Sequence, residues 1–147
     1  MLTAVNAPCF RTGLAAGLGL ADARAICPHL LTAPAAPDKD AGALLALARW
    51  SARFSPSLNV DGEDGLWLDA EGIPHLFGGS RVLLAEMERR LAALGFTARL
   101  ALAETLGAAH ALARFGTGSP IIIPQGKIEA ALAPLRVEAL RLSLIHI

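Results

Sequence analysis

The sequence predicts an α+β fold of two layers, in which helices cover one face of a small sheet. Of the 147 residues, 54% are apolar and only 5% are aromatic, a composition that gives an Ala/Leu-rich protein enough material for a core. The pattern over residues 38 to 103 predicts helix, strand, strand, helix, strand. This order is that of a split βαβ domain without its first strand.

The N-terminal third predicts three elements before the first strand of that domain. Residues 2 to 7 are expected to form a short strand, and residues 20 to 26 a helix that Cys27-Pro28 ends. Asp38 or Asp40 then caps a helix that runs to about Arg53. Its core-facing candidates are Leu44, Leu45, Leu47, Ala48 and Trp50.

A β-hairpin with an acidic tip follows. Residues 57 to 60 and 66 to 69 are apolar and β-prone, and the Asp-Gly pairs between them tolerate a reversing backbone. The predicted tip presents Asp61, Glu63 and Asp64. In isolation such a motif would be interpreted as a solvated turn.

The second half predicts alternating helices and short strands. Ser80 is the expected N-cap of a helix that Gly95 ends, with Glu86 and Arg90 as an ion pair one turn apart. Further elements are a strand over residues 96 to 103, a helix over 105 to 115 closed by Gly116, a buried run over 121 to 123 and a helix over 127 to 133.

Charge and composition exclude several classes of protein. Thirteen basic residues balance thirteen acidic ones, so the chain lacks the basic excess of a stand-alone DNA binder. Basic residues do prevail after Ser80, and the arginines concerned suit either DNA contact or a solvated helix face: Arg81, Arg89, Arg90, Arg99 and Arg114. Neither a membrane-spanning run nor a signal peptide is seen, which indicates the cytoplasm.

Cysteine and histidine do not indicate a metal site. Cys9 and Cys27 form no metal-binding motif and are expected to be small apolar residues. His29, His75 and His110 lack partners at metal-site spacing, so we interpret them as loop or packing residues.

The hairpin and its flanks carry a resemblance to a known family. The run from Phe54-Ser55-Pro56 through residues 64 to 69 (DGLWLD) to residues 75 to 79 (HLFGG) resembles the palm of Y-family (translesion) DNA polymerases, and within them the ImuB-type branch. The resemblance implies a polymerase-palm-like domain followed by a small helical thumb segment. The expected divisions are residues 1–37 (partial fingers and palm), 38–116 (palm core) and 117–141 (start of the thumb).

The resemblance also locates the metal-binding positions. The family pattern Ser-x-Asp-Glu-Ala-x-Leu-Asp, anchored on Leu68-Asp69, places its Asp at Asp64 and its Glu at Gly65. Two-metal phosphoryl transfer needs several carboxylates, and glycine supplies none. Glu63 is a possible substitute ligand beside Asp64, but a slip of one residue on a strand points a side chain to the opposite face.

The nucleotide-binding positions implied by the family have changed as well. Its triphosphate-binding Tyr and Arg align with Ala7 and Phe10, and the Lys of its Asn-Lys pair falls at Leu106. None of these three side chains can bind phosphate through a charged or hydroxyl group. We therefore expect no catalytic role and no cofactor, or Mg²⁺ if the chain is catalytic.

By resemblance, the chain is part of a bacterial, nucleoid-associated scaffold in SOS-type DNA damage repair. Its expected partners are primed DNA, the sliding clamp, an error-prone DNA polymerase and an accessory mutasome protein. The alternatives are an active Mg²⁺-dependent, error-prone DNA-directed DNA polymerase and an unrelated α/β domain. Residues 142–147 match the translation of a sequencing adapter, so genuine sequence is expected to end near Arg141.

Overall fold

The computed structural model describes residues 1–139, so the predicted adapter tail and the expected end at Arg141 lie outside the described residues. The chain divides into two compact units, one of Met1–Ala43 and one that begins at Leu44. Within the described residues, no helix is both long enough and apolar enough to cross a membrane.

The first unit contains two short helices, α1 (Ala7–Arg11) and α2 (Leu20–Ile26). The strand predicted over residues 2 to 7 is wrong. Asn6 instead caps α1, with its side-chain oxygen accepting the Cys9 N–H at 3.1 Å, and Pro8 suits the first turn because it needs no N–H partner. The predicted bounds of α2 are confirmed.

Helix α3 (Pro37–Ser51) runs across the boundary between the units. The prediction that Asp38 or Asp40 caps this helix is wrong, because both lie within its first turn. Pro37 is the first helical residue, a position to which proline is well suited. Ala48 is buried as predicted, whereas Leu45 is 51% exposed, so the expectation that Leu45 joins the core is wrong.

The four strands form two separate two-stranded sheets. Strands β1 (Leu58–Asp61) and β2 (Gly65–Leu68) make the antiparallel hairpin, with Asp61 opposite Gly65. Strands β3 (Ala101–Leu102) and β4 (Ile121–Ile122) pair in parallel. The hairpin is confirmed, but the long strand predicted over residues 96 to 103 shrinks to two residues.

The remaining described elements are helical: α4 (Pro74–Phe77), α5 (Ser80–Ala93), α6 (Leu106–Phe115), α7 (Ile128–Leu132) and a 3₁₀ turn at Val137–Ala139. The prediction that Ser80 caps α5 is wrong, because Gly79 occupies the N-cap position and Ser80 is the first helical residue. Gly95 does adopt the left-handed conformation expected after α5, with φ of 86°.

One hydrophobic core lies in the second unit. Its buried centre is Phe54 with three residues of α5, namely Leu83, Leu84 and Met87. Side chains from both sheets pack against this centre, together with neighbouring aromatic and aliphatic residues: Trp50, Leu68, Ile73, Phe77, Leu100, Leu102 and Ile122. The α+β class is confirmed, and the core holds the hairpin by its Leu68 face.

Candidate functional site

The hairpin presents two different faces because side chains alternate along a strand. Leu68 faces the core, and its cross-strand partner Leu58 lies on the same side. Asp61, Gly65 and Trp67 have the opposite parity, so they share the other face. Side chains of α6 contact this second face, and the acidic end of the hairpin therefore lies beside a helix.

Asp61 is a buried residue of β1, which corrects the prediction that it projects from the tip. Its Oδ2 atom lies 2.9 Å from Nδ1 of His110, and the two side chains are only 8% and 12% exposed. An ionised carboxylate accepts hydrogen bonds and cannot donate them, so Nδ1 of His110 is the donor in this pair when Asp61 is ionised.

The aromatic ring of Trp67 completes this contact. It stacks on the His110 imidazole with ring centroids 5.6 Å apart and planes inclined by 29°. The interpretation of His110 as a packing residue is therefore incomplete, because the ring both packs on Trp67 and binds a buried carboxylate.

Asp64 stands at the outer end of the turn, where Arg114 binds it through two hydrogen bonds. The Nη1–Oδ2 distance is 3.1 Å and the Nη2–Oδ1 distance is 2.5 Å. These bonds and the charge of Arg114 hold the pKa of the Asp64 carboxyl below its usual value, and Asp64 raises the pKa of Arg114 in return. Asp64 is 68% exposed, so solvent screens the pair.

Gly65 faces Asp61 across the hairpin at very short range. A Cβ atom added there would lie 2.8 Å from the Asp61 carbonyl oxygen, 3.2 Å from the Asp61 Cβ and 3.3 Å from Arg114 Nη2. The nearest of these atoms belongs to the backbone, which cannot move aside as a flexible side chain can. This hairpin therefore has no space for a side chain at residue 65.

The residues at this end of the hairpin do not fit a two-metal centre. Both Asp64 oxygens accept hydrogen bonds from Arg114, Asp61 binds His110, and Gly65 contributes no ligand. Among residues 1–139, no three or more His, Cys, Asp or Glu side chains are grouped so that they could hold a metal ion. Glu63 lies exposed in the turn beside Asp64.

The three altered nucleotide positions lie in different parts of the chain. Ala7 begins α1 and Phe10 lies within it, both in the first unit. Leu106 begins α6 in the second unit, where Thr105 caps the helix by accepting the Ala108 N–H at 3.2 Å. Phe10 and Leu106 are 69% and 64% exposed, so apolar side chains meet solvent at these positions.

Most of the arginines considered for DNA contact have partners within the protein. Arg89 and Arg90 both bind Glu86 and lower its pKa to about 2. Arg99 donates to the Ala113 carbonyl oxygen at 2.5 Å and also to that of Gly116, at the end of α6. The ion pair predicted between Glu86 and Arg90 is confirmed, and the solvated-face interpretation omitted the roles of Arg99 and Arg114.

The pairing of the acidic hairpin with α6 was not predicted from the sequence. His110 and Arg114 are one helical turn apart, so they lie on the same side of α6. His110 contacts Asp61, and Arg114 contacts Asp64. That spacing is visible in the sequence. The sequence pattern does not show that this side of the helix meets the hairpin.

Comparisons with known proteins agree with the resemblance in the hairpin. Residues 1–114 match the model of the IMS (impB/mucB/samB) family. Over 130 residues the chain is 50% identical to Protein ImuB of Caulobacter vibrioides, both from strain NA1000 / CB15N and from strain ATCC 19089 / CIP 103742 / CB 15.

These alignments include 88% of this chain and 28% of each curated relative, so the chain spans just over a quarter of their length. No solved structure matches significantly. The family match ends at Arg114 and so includes the whole hairpin and most of α6. The chain belongs to the impB/mucB/samB family of Y-family-related proteins, on its ImuB-type branch.

Proposed function

We propose that this chain is the palm region of a protein that acts in translesion synthesis after DNA damage and that does not itself polymerise DNA. The observation that carries the proposal is the packing at Gly65. The family's second carboxylate belongs at this position, and here the Asp61 carbonyl oxygen approaches within 2.8 Å of where a Cβ atom would be. The hairpin therefore has no space at Gly65 for the family's carboxylate side chain.

The chemistry of nucleotide transfer explains why this loss matters. Two Mg²⁺ ions must be held a few ångströms apart to align the attacking and leaving oxygens, which requires several carboxylates at one place. Here Asp64 is bound by Arg114, and Asp61 is buried against His110. The changes at Ala7, Phe10 and Leu106 remove the triphosphate contacts of the family as well.

We propose that residues 38–116 are the core of a split βαβ palm, most of it in the second unit, and that residues 117–141 are the start of a thumb. The shared core supports this view, since Leu68 of the hairpin and Leu102 of β3 pack against the same buried cluster of Phe54 and α5 side chains. The two sheets would then be parts of one layer.

The function we propose for the full-length protein is that of a scaffold in the bacterial cytoplasm, close to the nucleoid. It would bring together the sliding clamp, an error-prone DNA polymerase and an accessory mutasome protein on primed DNA. Direct DNA contact by this region should be weak, because Arg89, Arg90, Arg99 and Arg114 are engaged within the protein.

Sedimentation velocity of the full-length protein with the purified clamp and the error-prone polymerase tests the scaffold. We expect one species that contains all three proteins, whereas clamp and polymerase without the scaffold should sediment separately. The proposal fails if the protein binds neither partner in buffer of low ionic strength, where electrostatic association is strongest.

The second candidate function is an active Mg²⁺-dependent, error-prone polymerase, favoured by the retention of Asp64 and Glu63 at the turn. Nucleotide incorporation that disappears in Asp64→Asn would establish this function. Asp69→Asn is the matched control, because Asp69 lies beyond the end of β2 and its Oδ1 accepts the Glu71 N–H at 3.0 Å.

A further inference from the structure

We propose that α6 supplies the hydrogen-bonding partners of the acidic hairpin, so that Arg114 and His110 hold Asp64 and Asp61 in place of a divalent metal ion. This inference rests on the proposed lack of catalysis and names what binds the carboxylates that remain. We call the four residues Asp61, Asp64, His110 and Arg114 the clasp.

In the clasp, two residues of α6 contact two residues of the hairpin turn. His110 and Arg114 are four residues apart on α6, a separation that places their side chains on one side of the helix. Asp61 ends β1 and Asp64 immediately precedes β2, so the two carboxylates flank the turn. The pair of Asp61 and His110 is nearly closed to solvent. Arg114 binds Asp64 through two hydrogen bonds.

The charges of the clasp explain why a metal ion would compete poorly. Arginine stays charged at any physiological pH, and its planar fork matches both oxygens of a carboxylate. The hydrogen bonds from Arg114 lower the pKa of Asp64, which keeps the carboxylate ionised and occupied. A Mg²⁺ ion would have to displace this guanidinium while giving up some of its own tightly held waters.

The clasp has a matched counterpart elsewhere in the same unit. Arg89 binds both oxygens of Glu86, at 2.9 and 2.8 Å, so the two arginines make similar bonds to a carboxylate, but Glu86 also accepts a hydrogen bond from Arg90 and stays paired when Arg89 is removed. Glu86 lies in the middle of α5, whereas Asp64 is close enough to the charge of Asp61 to be affected by it. Removal of Arg114 should therefore uncover a stronger negative potential than removal of Arg89.

Binding of Mn²⁺ to the full-length protein, counted by electron paramagnetic resonance of the free ion, tests the proposal without DNA or nucleotide. We expect wild type and Asp64→Asn to bind the same number of ions. Arg114→Ala should gain one ion with a dissociation constant on the order of 10⁻³ M, the weak end for oxygen-ligand sites. Arg89→Ala should behave as wild type, and Asp64→Asn/Arg114→Ala should lose the gained ion.

Two results would overturn the clasp. One is an ion bound by wild type and lost in Asp64→Asn, which would mean that a metal reaches the carboxylate past Arg114. The other is no gain in Arg114→Ala when its circular dichroism matches wild type. Arg114→Lys is the second variant, because it keeps the charge without the fork, and its gain should be smaller than that of Arg114→Ala. Polymerase activity is measured separately, so the scaffold proposal and the clasp can fail independently.

Discussion

Substitution of Gly65 by alanine tests whether the hairpin has closed at the position of the lost carboxylate. The new methyl group would meet the Asp61 carbonyl oxygen at 2.8 Å and the Asp61 Cβ at 3.2 Å, both on the paired strand. Overpacking of this kind costs about 1–3 kcal/mol. Alanine also restricts the unfolded chain, which returns about 0.4–1 kcal/mol. The central values of these two ranges, about 2 and about 0.7 kcal/mol, give an expected net loss of about 1–2 kcal/mol in the free energy of unfolding.

Gly107→Ala is the matched control, because Gly107 lies in α6 and an added Cβ meets no atom within 4 Å. This variant should be more stable than wild type by about 0.5–1 kcal/mol, since alanine suits a helix better than glycine does. Urea unfolding followed by circular dichroism should place the Gly65→Ala midpoint roughly 0.5–1 M below wild type. A Gly65→Ala midpoint at or above wild type, with Gly107→Ala shifted upward, would refute the closed hairpin.

Three further outcomes follow from the described contacts. The pKa of Asp64, followed by NMR, should lie below the ordinary carboxyl value of 3.8 and return toward it in Arg114→Gln. Because the pKa of Asp64 is lower in the folded protein, the ion pair's contribution to stability is complete above the unfolded pKa and is lost as pH falls through the folded pKa. An ordinary pKa for Asp64 in wild type would contradict the ion pair with Arg114. Phe54→Ala should lower the free energy of unfolding in urea by about 3–5 kcal/mol, because Phe54 is 3% exposed in the core. Leu76→Ala, at an 81% exposed residue, should change it by less than about 0.5 kcal/mol. Equal effects would argue against the core assignment. Arg99→Met should speed hydrogen exchange in the last turn of α6 by removing donors to the Ala113 and Gly116 carbonyls, and Arg81→Met should not; unchanged exchange would mean that Arg99 does not cap the helix.

Local patterns predicted the elements whose signals are local. The bounds of α2, the hairpin and the left-handed Gly95 all depend on residues close together in the sequence. The strand predicted over residues 96 to 103 failed because contacts with distant residues decide the structure there. Residues 96 to 100 are β-prone, yet Arg99 is used to cap α6, and only Ala101–Leu102 pairs with β4.

The candidate site shows the same division. The chemical change at Gly65 and the acidity of the turn could be predicted from the sequence, because each concerns the identity of a single residue. The contacts of Asp61 with His110 and of Asp64 with Arg114 join residues 49 and 50 positions apart, so no local pattern indicates them. The burial of Asp61 depends on the packing of α6 on the hairpin.

Single-turnover nucleotide incorporation by the full-length protein, in excess over primed DNA, tests the proposed lack of catalysis most directly. Mn²⁺ is the appropriate metal, because it binds the same oxygen ligands as Mg²⁺. We predict that wild type and Asp64→Asn extend the primer no further than a reaction without protein. Extension by wild type that Asp64→Asn abolishes would contradict the account and establish the hairpin as a working catalytic centre.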